Sequence, residues 1–103
     1  MVARGEVHWL EVEHDKRRPV LVLSPDLLAS ALRKVVVVPL TTTIRGIPTE
    51  VEVGPSDGVP RDSAVNCNDV RTVPRALLVE RVTTLGHDRM LAVCTAVRRA
   101  TGC

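Results

Sequence analysis

At 103 residues, 45% of them hydrophobic and 25% charged, the chain has room for one hydrophobic core and is composed like a soluble globular domain. Residues 1–103 are read as a single domain. A formal net charge of +2 does not by itself indicate a nucleic-acid partner. No apolar run approaches the roughly 20 residues that a transmembrane helix needs, and "MVARGEV" lacks the apolar centre of a signal peptide. The expectation is a cytoplasmic protein without a membrane partner.

The basic residues are twelve Arg and two Lys. That excess reflects either genomic composition or a need for planar guanidinium groups that grip carboxylates or phosphates. Valine is the commonest residue and Phe and Tyr are absent, which points to a β-rich core of branched aliphatics with Trp9 inside it. A core without large rings buries less area per residue, so a second copy of the chain is expected to complete it. Cys67, Cys94 and Cys103 have no metal-ligand spacing and read as reduced thiols. No metal or cofactor is expected.

Glu6 to Val12 predicts a first strand; Val7 and Trp9 fall on one face and Leu10 and Val12 fall out of phase, as at a bulge. "PVLVLS" is a continuous apolar run, suited to a strand buried on both faces. "SPDLLASAL" has the grammar of a helix start, with Ser24 as N-cap, Pro25 at the first helical position and Asp26 in the first turn. The run Val35–Val38 predicts the next strand and ends in "PLTTT". "TEVEV" alternates cleanly, with Val51 and Val53 on one face and Glu50 and Glu52 on the other. "GPSDGVPRDS" reads as a surface loop. "AVNCNDVRTV" reads as one strand kinked at its polar centre, Pro74 to Leu78 as a helical turn, and "VERVTTL" as a last strand. From Asp88, Met90, Val93, Cys94 and Val97 repeat at helical spacing and define an amphipathic C-terminal helix. Short strands with one terminal helix predict a mainly β protein, a small, largely antiparallel barrel with short helices.

The second strand begins at Arg17-Arg18-Pro19 and the third ends at Thr41-Thr42-Thr43. If the two lie side by side and antiparallel, Arg18 and Thr41 meet at one end. A guanidinium beside a hydroxyl suits a phosphate oxygen. Taken alone, "RRP" reads more simply as a solvated basic loop and "TTT" as a strand end facing water; their conjunction favours a site.

"RGEVHW", "RRPVLVLSPD", "VVVVPLTTTIRGIPTEVEV", "GVPRDSAVNCNDVRTV" and the helical "M..V..AV", in that order, resemble the MazF/PemK family, the toxin components of bacterial type II toxin–antitoxin pairs. The resemblance runs over nearly the whole chain. It implies an SH3-like small barrel with a C-terminal helix, assembled as a homodimer. It also implies a metal-independent endoribonuclease, an mRNA interferase, that cuts single-stranded RNA at a short sequence; mRNA is the implied substrate, with tRNA and rRNA as alternatives. The catalytic pair carried over is Arg18 and Thr41. An antitoxin with a disordered acidic segment is the implied partner, for which Lys16, Arg17, Arg18 and Arg45 offer charge.

RNA contacts are expected from His14, Arg17, Thr43 and Arg45. Asn66, Asn68, Asp69 and Arg71 are expected to offer base-edge donors and acceptors from one strand. With Trp9 in the core, base stacking falls to arginine planes or to His14. The chain departs from its relatives at two places: "EHDKRR" replaces a longer first loop, and Asn68-Asp69 stands where some carry Asp-Gln. His14 and Asp15 are therefore the residues to weigh as proton carriers, although His14 reads equally as a surface residue. Two other readings compete: a CcdB-like gyrase-binding toxin without nuclease activity, and a non-catalytic SH3-like interaction module. The C-terminal "ATGC" lacks the Trp of the gyrase poisons, and neither alternative uses Arg18 and Thr41.

Overall fold

A computed structural model describes residues 2–12 and 16–103. In chain order the elements are β1 (Glu6–Leu10), β2 (Arg18–Val22), α1 (Asp26–Ala31), β3 (Lys34–Thr41), β4 (Glu50–Val53), β5 (Ser63–Asn66), β6 (Arg71–Pro74), β7 (Leu78–Thr84) and α2 (His87–Thr101), with 3-10 turns at Pro55–Asp57 and Arg75–Leu77. The strands pair antiparallel in the order β4-β5-β3-β2-β1-β7, and β6 lies along the first half of β3. This is the expected mainly β, small-barrel-like architecture with a C-terminal helix; among the described residues β4 and β7 do not pair to close it.

The valine run explains why β3 is the hub. Strand residues alternate between faces, and both faces of β2 and β3 are covered. Val7, Leu21, Val38 and Leu40 pack on one side with Val51, Val65 and the buried Val93 and Ala96 of α2. Val20, Val22, Val35 and Val37 pack on the other with Val2, Leu10, Ala29 of α1, Val73 and Leu78. A branched aliphatic at every position from 35 to 38 suits a strand that must be apolar on both sides. Each fully buried valine or leucine there contributes about 1.5–3 kcal/mol relative to exposure. The second cover stops short: Val35 and Val37 are fully buried, whereas Pro39 and Thr41, next on the same face, are only half-buried.

Several expectations need correction. β1 ends at Leu10 rather than Val12, and its irregularity lies against β7, where the register shifts between Val7 and His8 and again between Trp9 and Leu10. Ser24 does not cap α1; the helix begins at Asp26 with Pro25 in the cap position, and the Ser24 hydroxyl accepts a hydrogen bond from the Val36 N–H at 2.8 Å. The second apolar run thus holds the hydroxyl that helix grammar had assigned locally. Residues 64–73 form two strands, β5 and β6, because Asn66 turns the chain: its side-chain oxygen accepts from the Asn68 N–H at 3.2 Å and its carbonyl from the Asp69 N–H at 3.3 Å. Trp9 is half-buried rather than in the core, with the Arg17 guanidinium 5.5 Å above its ring. Cys67 is fully buried, and burial, with the nearby Cys94 thiol, pushes its thiol up to about 11.

Candidate functional site

Register brings the two predicted ends together. Val20 pairs with Pro39 and Leu21 with Val38; continued by two residues, that register sets Arg18 opposite Thr41. Residues directly opposite share a face, so guanidinium and hydroxyl project from the same side, about 5 Å apart at the backbone. On the other edge of β3, Thr41 pairs with Ala64, and Ala64 pairs in turn with Glu52 of β4. One row, Glu52–Ala64–Thr41–Arg18, therefore crosses four strands on one face. Ala64, a fully buried methyl, leaves the row low in its middle. Arg18 is exposed and Thr41 half-exposed, so the row faces solvent where the second apolar cluster ends.

Thr41 is oriented by its own backbone. Its Oγ1 accepts a hydrogen bond from the Thr43 N–H at 3.1 Å, so the proton of the hydroxyl is what it has to offer a ligand. Thr43 is exposed and acts here through its main chain. Thr42 lies on the opposite side and lines a separate recess with Trp9, Pro19, Val59 and Pro60.

The segment from Thr42 to Thr49 returns the chain to β4, and two side-chain contacts help to pin it, besides the Cys67 N–H that bonds the Thr49 carbonyl at 3.0 Å and the Arg99 guanidinium that reaches the Pro48 carbonyl at 3.4 Å. Glu50 accepts from the Arg45 N–H at 2.9 Å and from Arg45 Nε at 2.7 Å. Its side chain is only 1% exposed. Burial alone would raise the Glu50 carboxyl; the bonds from the Arg45 N–H and guanidinium outweigh it and hold the carboxyl below its usual value of 4.5. The second pin joins Asn68 Nδ2 to the Thr49 hydroxyl. Arg45 thus stands near the row, but as half of an ion pair.

Asn66 faces Glu50 across β4 and β5 and shares the face of the row. Arg71, opposite Val37 on β6, shares it too. Arg71 grips Asp69 in a two-point contact at 2.8 and 2.7 Å. That bond lowers the Asp69 carboxyl and raises the Arg71 guanidinium from their ordinary values. Asn66, Asn68, Asp69 and Arg71 therefore gather at one turn beside β3 rather than along one strand, and each side chain already makes a contact within the turn or to Thr49.

Arg17 lies over Trp9 and binds Glu80 of β7 at 3.0 Å, with Glu11 at 3.9 Å. His14 and Asp15 lie outside the described residues. Among the described residues no group of His, Cys, Asp or Glu is arranged to hold a metal ion. Away from the row, His8 is buried and its Nε2 meets Glu6 at 2.9 Å. Sequence reasoning missed the different fates of Glu50 and Glu52. The alternation in "TEVEV" put both on one face, but only the tertiary turn at Arg45 separates the bound carboxylate from the exposed one.

Residues 3–101 match the family described as PemK-like, MazF-like toxin of type II toxin-antitoxin system. The chain is 50% identical over 102 residues to the probable endoribonuclease MazF5 of Mycobacterium tuberculosis, covering 98% of this chain and 94% of that one. It is similar in structure to an endoribonuclease in complex with its cognate antitoxin from a mycobacterial species, with a TM-score of 0.90 at 30% identity, covering 99% of this chain and 96% of the other. It is likewise similar to the Mycobacterium tuberculosis toxin MazF-mt6, with a TM-score of 0.86 at 33% identity, over 94% of this chain and 96% of that one.

Proposed function

Because this chain belongs to the PemK-like, MazF-like toxins of type II toxin–antitoxin systems, we propose that it is a metal-independent endoribonuclease that cleaves single-stranded RNA at a short sequence. The observation that carries the reading is the register that sets Arg18 opposite Thr41 on an open sheet face. Homologues that carry the name endoribonuclease support it.

The reaction uses a nucleophile already in the substrate. The ribose 2′-oxygen attacks the adjacent phosphorus and loses its proton to a base; the bond from phosphorus to the 5′-oxygen breaks, and that oxygen takes up a proton. The products are a 2′,3′-cyclic phosphate and a 5′-hydroxyl. The Arg18 guanidinium grips two phosphoryl oxygens as negative charge builds on them. Thr41, its acceptor side taken by the Thr43 N–H, donates to a further oxygen. Aligning the 2′-oxygen with the leaving oxygen is the remaining task of the row and its flanks, Asn66 and Arg71. The proton carriers are assigned to neither arginine nor threonine, since a guanidinium does not give up its proton near neutral pH.

The same reading includes a homodimer and a cognate antitoxin as partner; a mycobacterial endoribonuclease solved in complex with its cognate antitoxin supports the second. A gyrase-binding role gives the Arg18–Thr41 pair no work. The test is incubation of the purified protein with a long RNA and with DNA of the same sequence, in EDTA. Discrete RNA fragments ending in cyclic phosphate are expected, with the DNA intact. Loss of cleavage in EDTA that Mg²⁺ restores would overturn the metal-independent mechanism, and intact RNA would overturn the nuclease.

A further inference from the structure

The row that carries Arg18 and Thr41 ends at Glu52, which has so far had no role. Glu52 is exposed and keeps the face of Thr41 through the pairing Thr41–Ala64–Glu52. Two strand spacings set it about 10 Å from Thr41, with Ala64 between them in the row. It stands at a recess of about 330 Å³ whose walls include Ile44, Gly54, Asp62 and Arg89. Ile44 is 38% exposed, an apolar wall against which a ring can lie. A side chain on Gly54 would meet Asp62 Oδ1 at 2.7 Å, so the glycine is what lets that carboxylate close in. Arg89 is taken up by Asp57 at 3.1 Å. No described residue is bonded to or paired with the Glu52 carboxylate.

Resting on the nuclease reading above, we propose that Glu52 selects the nucleotide neighbouring the scissile phosphate, accepting a hydrogen bond from a base with an exocyclic amino group in this recess and disfavouring uracil. Charge decides what enters: a phosphate would be repelled by Glu52 and Asp62, so the part of the RNA that turns into the recess is the base. A carboxylate only accepts. Cytosine, adenine and guanine offer it an amino N–H, as when a carboxylate reads cytosine N4. Uracil turns carbonyl oxygens towards it on both sides of a single N–H and leaves it partly unmatched. Single-stranded RNA suits this readout because its bases can splay out and present their Watson–Crick edges.

The experiment maps every cut that the wild-type protein and Glu52→Gln make in a randomised RNA, by sequencing the 5′-hydroxyl ends. Expected is one position at which the wild type prefers an amino-bearing base to uracil by about tenfold or more. Glu52→Gln should lose that preference or turn it towards uracil, because an amide can donate to a uracil carbonyl, while the other positions keep theirs. If Glu52→Gln has lost cleavage, the same comparison is made by binding of 2′-O-methyl RNAs that differ only by cytosine or uracil at that position. Unchanged preference at every position, by cleavage or by binding, overturns the assignment of Glu52 and leaves the nuclease standing. Absence of cleavage by the wild type removes both.

Discussion

Thr41 and Thr42 are adjacent in the chain yet serve opposite faces of the sheet. Thr41 pairs with Ala64 and shares the face of Arg18, whereas Thr42 lines the recess of Trp9 and Pro60. The two form a matched pair for testing the chemistry. Thr41→Val keeps the β-branched shape and removes only the hydroxyl, so cleavage should fall about 10²–10³-fold with the fold intact. Arg18→Ala should lose at least as much, since a charge is lost with its two contacts. Thr42→Val should leave the rate within a few-fold of wild type. Single-turnover rates on one oligonucleotide, with circular dichroism of each variant, make the comparison. Equal losses at Thr41 and Thr42 would place the chemistry elsewhere.

Antitoxin capture is expected to depend on Arg17 and Arg45, but less than their charges suggest. Both are already paired, Arg17 with Glu80 and Arg45 with Glu50. An acidic segment can displace Glu80 from the exposed Arg17 pair, which contributes at most about 1 kcal/mol, but it must add to the Arg45 pair, whose Glu50 side chain is only 1% exposed. Arg17→Ala with Arg45→Ala should weaken binding of the cognate antitoxin several-fold to about tenfold in low salt. The change should fall mainly on the association rate and shrink as salt rises. Equal affinities at low salt would show that the acidic segment binds without these two residues.

The fold was legible wherever pattern length exceeded local ambiguity. Four β-branched valines in a row, a five-residue alternation and a helical repeat from Met90 to Val97 each favour one assignment, and β3, β4 and α2 lie where those patterns put them. The Arg18–Thr41 relation was legible too, because antiparallel neighbours joined by a short helix must bring the start of one beside the end of the other. What was not legible depended on distant partners. Ser24 looks like a cap until Val36 claims its hydroxyl. Trp9 looks like a core residue until the surrounding strands leave its ring at the edge of a recess. Glu50 and Glu52 are equivalent by periodicity and differ only because the chain folds Arg45 back onto one of them.

A homodimer is the expected assembly. The chain leaves large apolar side chains in solvent, with Leu27 79% exposed and Leu32 51% exposed at α1, and Leu91 55% exposed on α2. Single exposed leucines such as Leu91 are ordinary, but Leu27, Leu28 and Leu32 are all exposed within one short stretch at α1, and with no large rings in the core a second copy of the chain is the expected cover. Light scattering at micromolar concentration should give twice the 11.2 kDa chain mass. A monomer at that concentration would overturn the expectation.

The Glu50–Arg45 pair yields a prediction in pH. The Glu50 carboxyl is held below its usual value of 4.5 in the folded protein, burial being outweighed by the Arg45 N–H and guanidinium bonds. In the unfolded chain it returns to its usual value. Between the folded and unfolded values the unfolded chain binds more protons, so stability rises with pH across that window. The contribution is fully present above the unfolded value and is lost as pH falls through the folded one. Glu50→Gln retains one acceptor oxygen but not the charge, and should cost about 1–3 kcal/mol near neutral pH, the worth of a hydrogen bond to a charged group. Urea unfolding of both proteins from pH 7 down to pH 3 should show that gap steady to about pH 5 and closing below it. The segment from Thr42 to Thr49 carries Thr43, whose N–H orients the Thr41 hydroxyl, so cleavage by Glu50→Gln should fall together with its stability at neutral pH. A gap that stays constant down to pH 3 would show that the carboxylate charge contributes nothing and that Glu50 is held by shape alone.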